Sequence, residues 1–308
     1  MRILSPTADN IAEAGEALRS GKLVVIPTET VYGLAANALD PEAVAKIFTA
    51  KGRPSDNPLI VHIESRNAVD DLATSIPDYA ERLMDTFWPG PLTLVLPKRP
   101  EVPDITTARL DTVAIRIPAN GIALRIIRAA KVPLAAPSAN RFMAISPTRP
   151  EHIGPELADH VEILMDGGPC DVGLESTVVD CTGSNPQILR PGRITRENIE
   201  NILEMPVLGS NRDGSKKSPG MYRRHYAPKT PAALVEKLAS SDSGLTLRQP
   251  ENDNQIQMSS DPREYATELY NALHILDQCD VSQISIQTPP ETPEWEAVWD
   301  RLRKAVSN

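Results

Sequence analysis

Short apolar runs alternate with short amphipathic stretches along residues 1–208, and a proline or polar loop closes nearly every run before it can lengthen. KLVVIPT, PLIVHIE, LTLVLPK, TVAIRIP, VEILMDGG, STVVDCT and PQILRPG read as buried strands, and PLAAPSAN as a buried strand and turn. Between them, Asp9 could cap a helix with Ile11, Ala14 and Leu18 on one face and Gly21 at its end. PEAVAKIFTAKGR, with Pro41 near its first turn, PDYAERLMDTFW, GIALRIIRAAK and a last stretch from Thr195 through Leu203 also read as helices. Strands and helices in this order bury their apolar faces only as a layered α/β fold. The 29 prolines among 308 residues keep every element short.

Charge then divides the chain. Residues 1–208 hold 20 basic and 27 acidic side chains, residues 209–229 hold 6 and 1, and residues 230–308 hold 6 and 13. The basic segment GSNRDGSKKSPGMYRRHYAPK is rich in Gly, Ser and Pro, a linker composition, with Tyr222, His225 and Tyr226 interleaved among its cations. Beyond it, AALVEKLA and DPREYATELYNALHILDQC read as helices, SQISIQ as a strand and PEWEAVWDRLRKAVS as a final helix. Three units are expected: a domain at 1–208, a linker or active-site lid at 209–229 and a small α/β domain at 230–308.

The net charge of −9 argues against a broad nucleic-acid surface, so direct nucleic-acid binding is expected to be weak or absent, and any anionic ligand must be held locally. The first residues carry Asp9, Glu13 and Glu16 and lack the apolar core of a signal peptide. No apolar stretch approaches the ~18 residues of a membrane span. Cys170, Cys181 and Cys279 form no CxxC pair, and their odd number suits a reducing cytoplasm.

Familiar catalytic signatures are missing: there is no GxSxG, no HExxH and no HxE with PCxxC, and the five histidines have no zinc-ligand spacing. Gly209 to Lys216 approaches a phosphate loop, but its lysine comes one place late, and Pro219 and Gly220 prevent the helix such a loop requires.

What remains is a series of polar groups at the ends of apolar strands, where α/β proteins place ligands. VVIPTETVYGL offers Thr28, Glu29, Thr30 and Tyr32, and FTAKGRPSDNPLIVH places Lys51, Arg53 and Asn57 in a stiff loop suited to a phosphate or carboxylate. In DTVAIRIP, Thr112 and Arg116 share a strand face, and an arginine in so apolar a run needs an anion. LAAPSANRFMAISPT adds Ser138, Asn140 and Ser146, and GLESTVVDCT with LRPG adds Glu175, Ser176, Thr177, Asp180 and Arg190.

In this order, PTETVYGL, the KxRP loop with NPL, TVAIRIP, PSAN, SPT, ESTVVD and LRPG resemble the YrdC-like domain of the threonylcarbamoyl-AMP synthases. The likeness continues through SPGMxxxHYAPxTP and weakens after about residue 235, as in the long, two-domain form. It implies a YrdC-like twisted mixed sheet with helices, joined by the basic linker to a small Rossmann-like α/β domain. It also implies a nucleotidyltransferase that makes threonylcarbamoyl-AMP and pyrophosphate from L-threonine, bicarbonate or CO2, and ATP. The product would serve tRNA modification through downstream transferase proteins. By the same resemblance Thr30, His62, Arg116, Ser176 and the Ala136 backbone would hold threonine. Arg53, Asn57, Thr112, Ser138, Ser146, Arg190 and Tyr226 would hold ATP. Lys51 and Arg53 would stabilise the reacting groups, and Mg2+ would ride mainly on the ATP phosphates.

The last domain departs from the pattern: it has 79 positions, and ETPEWEAVWDRLRKAV replaces a glycine-rich ending. Trp295 and Trp299, at i and i+4, are expected to pack that helix onto its sheet. The competing expectation is a YrdC-like RNA-binding module without synthase activity, which the net charge disfavours.

Overall fold

The structure, a computed structural model, describes residues 1–209, 222 and 224–307. In chain order its elements are β1 (Arg2–Leu4), α1 (Ala8–Arg19), β2 (Leu23–Ile26), β3 (Gly33–Asn37), α2 (Pro41–Lys51), β4 (Ile60–His62), α3 (Asp78–Phe87), β5 (Leu92–Pro97), α4 (Asp104–Thr107), β6 (Thr112–Arg116), α5 (Gly121–Ala130) and β7 (Leu134–Ala135). They continue as β8 (Val161–Met165), β9 (Thr177–Asp180), β10 (Gln187–Arg190), α6 (Arg196–Leu203), β11 (Ala232–Val235), β12 (Gly244–Thr246), β13 (Gln255–Gln257), α7 (Pro262–Gln278), β14 (Ile284–Gln287) and α8 (Glu296–Ala305).

The helices begin where the local chemistry allows. Asp40 caps α2 ahead of Pro41, Asn120 caps α5, and Thr195 forms a reciprocal capping box with Asn198 at α6. At α1 the cap is Thr7, whose side chain accepts from the Asn10 amide, and Asp9 falls inside the first turn. Sequence reading put the cap there because both residue types serve; only the extended backbone at Thr7 distinguishes them.

Ten strands form one mixed sheet in the order β1-β8-β2-β3-β7-β4-β6-β5-β9-β10. The pairs β4/β6 and β5/β9 are parallel, whereas β2/β3, β5/β6 and β9/β10 are antiparallel. Helices cover both faces. Val44, Ile47, Leu83 and Met84 join one core, while Leu18, Ile126 and Ile127 of α1 and α5 build another. Each such side chain, fully withdrawn from water, contributes about 1.5–3 kcal/mol. Because residues on both faces are buried, the strands read as continuous apolar runs.

A second, all-parallel sheet, β11-β14-β12-β13, forms the C-terminal unit with α7 and α8. AALVEKLA, expected as a helix, is corrected here: Ala232–Val235 is strand β11, paired in register with β14. Its helix-forming residues are too few for a stable helix on their own, and the ladder with β14 satisfies the backbone instead. The short strands β1, β3, β12 and β13 and helix α4 carry too little pattern to announce themselves. Trp295 and Trp299 are buried, the first edge-on to Tyr265, as expected of core residues. Val31, Ile145 and Leu174 of the first region and Tyr226 of the connection join the same C-terminal core, so the two sheets are bound by shared apolar packing. Among the described residues no helix is long and apolar enough to cross a membrane. Most of the basic connection, including Lys216, Pro219 and Gly220 of the near phosphate loop, lies outside the described residues.

Candidate active site

A cleft opens where the ends of β2, β4 and β6 meet the loops after β7 and before β9. Parallel pairing of β4 and β6 sets His62 directly beside Arg116, and both are buried. After Pro27 the chain turns on Thr28, whose hydroxyl donates to Val31 O at 2.6 Å and lies 2.8 Å from the Thr30 hydroxyl. Arg116 donates through Nη1 to Thr30 Oγ1 at 3.0 Å and through Nε to Gly90 O at 3.1 Å. Its Nη2 stands 2.5 Å from Glu29 Oε1 as an ion pair, off the angle of a hydrogen bond. His62 is neutral: burial and the neighbouring Arg116 charge push its pKa down to about 3. This wall therefore presents a guanidinium paired with Glu29, a hydroxyl and an uncharged imidazole.

Across the cleft lies a second cationic group. The Ser176 hydroxyl sits 2.7 Å from Thr93 Oγ1 and accepts from Arg190 Nη2 at 3.1 Å, while Arg190 Nε donates to Ser176 O at 3.0 Å. The β9 and β10 ends meet there only because residue 192 is glycine: a Cβ at Gly192 would lie 2.5 Å from Thr177 N. Arg53 is buried, its Nη2 donating to Pro58 O at 2.9 Å, and burial pulls its pKa down to about 10, so it stays charged at neutral pH. Arg53 Nε and both side-chain atoms of Asn57 are buried without a protein partner. Orphaned buried donors of this kind are costly unless a ligand satisfies them.

Thr30, His62, Arg116, Ala136, Ser138 and Ser176, with Arg53, Arg190 and Tyr226, all line this one cleft. The Ala136 amide is committed to Ile60 O at 3.1 Å, so its backbone carbonyl is what it offers a ligand. Lys51 lies behind the wall, donating from Nζ to Ser138 O and Asn140 O at 2.5 Å each, with one of its three N–H groups left over. Burial, aided by the Arg53 charge, pushes its pKa well below the ordinary lysine value. Ser146 is also set back, donating to Glu175 Oε1 at 2.5 Å. Thr112 shares strand parity with Arg116, but four residues of strand separate them by about 13 Å. It is half-buried opposite Pro97, at the other end of β6, and only Arg116 of the pair lines the cleft.

Two contributors escaped sequence reading: Tyr270 and Arg301, from α7 and α8, bind Glu175, a candidate that does line the cleft. A signal existed for Arg301, which falls within the apolar stripe of Val298, Leu302 and Ala305.

A family model described as telomere recombination matches residues 16–192, and one described as the threonylcarbamoyl-AMP synthase C-terminal domain matches residues 194–307. The threonylcarbamoyl-AMP synthase of Pyrococcus abyssi is 43% identical over 94% of this chain and 91% of its own length. The chain belongs to the threonylcarbamoyl-AMP synthase family. The Bacillus subtilis threonylcarbamoyl-AMP synthase is 40% identical over 98% of this chain and 94% of its own. A crystal structure of P. abyssi Sua5 complexed with L-threonine superposes with a TM-score of 0.92 at 40% identity, covering 99% of this chain and 98% of that one. The two-domain architecture is thus that of the family, and the short C-terminal unit is its C-terminal domain despite the altered ending.

Proposed function

We propose that this chain is an L-threonylcarbamoyladenylate synthase, a nucleotidyltransferase joining L-threonine, bicarbonate or CO2, and ATP into threonylcarbamoyl-AMP with release of pyrophosphate. The observation that carries the reading is the cleft itself. A chain of net charge −9 concentrates buried Arg53, Arg116 and Arg190 around one cavity and leaves Arg53 Nε and the Asn57 amide without protein partners. Arg116, with Thr30 and neutral His62, suits the carboxylate and hydroxyl of threonine. Arg53, Ser138 and Arg190, with Asn57 buried beside Arg53, suit the nucleotide, and Tyr226 and His225 line the same cleft. In the reaction, a carboxylate oxygen of N-carboxy-threonine forms a bond to the α-phosphorus, and the bond from that phosphorus to the bridging oxygen breaks with pyrophosphate leaving. No protein nucleophile is needed: the residues hold two anions in line, exclude water and oppose the developing charge. Lys51, set behind the wall, would serve the phosphate side by fixing the Ser138 and Asn140 carbonyls.

Among the described residues Glu175 is the one carboxylate lining the cleft, already engaged by Ser146, Tyr270 and Arg301, and no group of His, Cys, Asp or Glu there could hold a metal. Mg2+ would then be held mainly by the ATP phosphates, where it would offset their charge. The product would pass to a transferase acting on tRNA, and the buried thiols Cys170 and Cys181 suit a reducing cytoplasmic setting. The deciding experiment is pyrophosphate release from ATP and bicarbonate with each amino acid in turn. Release with L-threonine alone, dependent on bicarbonate and Mg2+, is expected. No release with any amino acid, together with tight salt-sensitive RNA binding, would replace this reading with a binding role.

A further inference from the structure

One arginine of the C-terminal domain supports the nucleotide side of the cleft from behind. Arg301, on α8, has no exposed side-chain surface. Its Nε donates to Glu175 Oε2 at 2.9 Å, its Nη1 to Pro191 O at 3.0 Å and its Nη2 to Glu175 O at 3.4 Å. Glu175 and Pro191 directly neighbour Ser176 and Arg190 in the chain, and those two residues are bonded to each other inside the cleft. The Glu175 carboxylate also accepts from Ser146 Oγ at 2.5 Å and from the Tyr270 hydroxyl at 3.1 Å. The Arg301 guanidinium lies 5.1 Å from the centre of the Tyr226 ring, and Tyr270 flanks the same ring at 5.8 Å. Tyr226 has a left-handed backbone, φ 59°, which a bulky residue holds only when its surroundings enforce it.

From this geometry we infer that Arg301 is a positioning residue for the nucleotide, through which the C-terminal domain sets Glu175, Ser146, Arg190 and Tyr226 and masks the Glu175 charge. The inference rests on the synthase reading in taking ATP as the ligand of that side. Two consequences separate it from simple docking of the domains. A planar fork fixes two carbonyls and a carboxylate at once, which an ammonium cannot do. Without Arg301, moreover, a buried carboxylate would face the triphosphate with its main counter-charge gone, so ATP would suffer and threonine, on Arg116, would not.

The test uses the full chain and two readouts, ATP binding by calorimetry and pyrophosphate release titrated with ATP and with threonine. R301M is expected to weaken ATP binding and raise the ATP KM on the order of 10-fold or more, with the threonine KM within about twofold. A structural role alone would lower the melting temperature and leave both constants of the folded fraction in place, and unchanged ATP affinity and KM overturn the inference. Should R301M fail to fold, R301K, which keeps the cation but loses the fork, is read instead. The same ATP-selective loss is expected, and unchanged ATP affinity in that variant is equally decisive against the inference. Weakened ATP binding in a protein that releases no pyrophosphate with threonine would sink the synthase reading and leave the role of Arg301 standing.

Discussion

Arg53 shows how much one side chain does here. Its guanidinium spans the loop carbonyls of Asn57 and Pro58 through Nη2 while Nε remains for a ligand. Arg53→Lys keeps the charge but loses that division of labour. It is expected to raise the ATP KM about tenfold or more, by analogy with charged hydrogen bonds of about 1.5–3 kcal/mol, while the threonine KM barely moves. ATP titrations of pyrophosphate release check this, and an unchanged ATP KM removes Arg53 from the nucleotide side. Lys51 differs, because its ammonium holds the Ser138 and Asn140 carbonyls in place. Lys51→Ala is expected to lower both activity and stability, the latter by about 1–3 kcal/mol from the orphaned carbonyls. Urea unfolding beside activity would expose a purely catalytic role as a loss of rate with no shift in midpoint.

Among the elements, α7 presses the C-terminal domain directly against the first region. It approaches so closely that a Cβ on Gly173 would lie 2.3 Å from Thr267 O, and Gly173 has φ +75°. Tyr270, three residues beyond Thr267 on the same helical face, reaches Glu175. Gly173→Ala is therefore expected to destabilise the protein by about 1–3 kcal/mol and to push α7 away from the cleft. Thermal unfolding and limited proteolysis between the domains check it, and wild-type behaviour in both would mean that the contact is slack. Sequence alone placed most helices and strands, because caps, prolines and apolar runs are local. It misassigned AALVEKLA because a parallel ladder is a property of the partner strand, Ile284–Gln287, fifty residues away.

For the whole molecule, the first region has its own cores and should stand alone. A chain ending at residue 208 is expected to unfold cooperatively yet to release pyrophosphate at least about tenfold more slowly, since it lacks Tyr226, Tyr270 and Arg301. Full activity in that fragment would reduce the second domain to an appendage. Acid should also weaken the fold. Burial pushes the pKa values of His62 and His225 down to about 3 from 6.5. Between those values the unfolded chain binds more protons, so stability is complete above pH 6.5 and falls as pH drops, by up to about 1.4 kcal/mol per pH unit for each histidine. Glu175 acts in the same direction lower down: burial alone would raise its pKa, but the Arg301 and Arg190 charges outweigh it and hold it near 2, against 4.5. Its contribution is present above pH 4.5 and lost toward 2. Urea midpoints from pH 7.5 downward should fall steadily, and a flat profile would show that the histidines are not buried as neutral groups.

The sequence by itself determined the α/β class, the ordered motifs that mark the family, and most groups of the cleft, because each such group sits where a buried strand ends. Local order along the chain carried that information. Only the tertiary structure decided which of those groups share one cavity. It set Thr112 at the far end of its strand from Arg116, turned Lys51 onto carbonyls, and brought Arg301 and Tyr270 from the C-terminal domain onto Glu175. These are contacts between residues as far as 126 positions apart. They follow from how sheets and helices pack in space, which no local pattern of residues encodes.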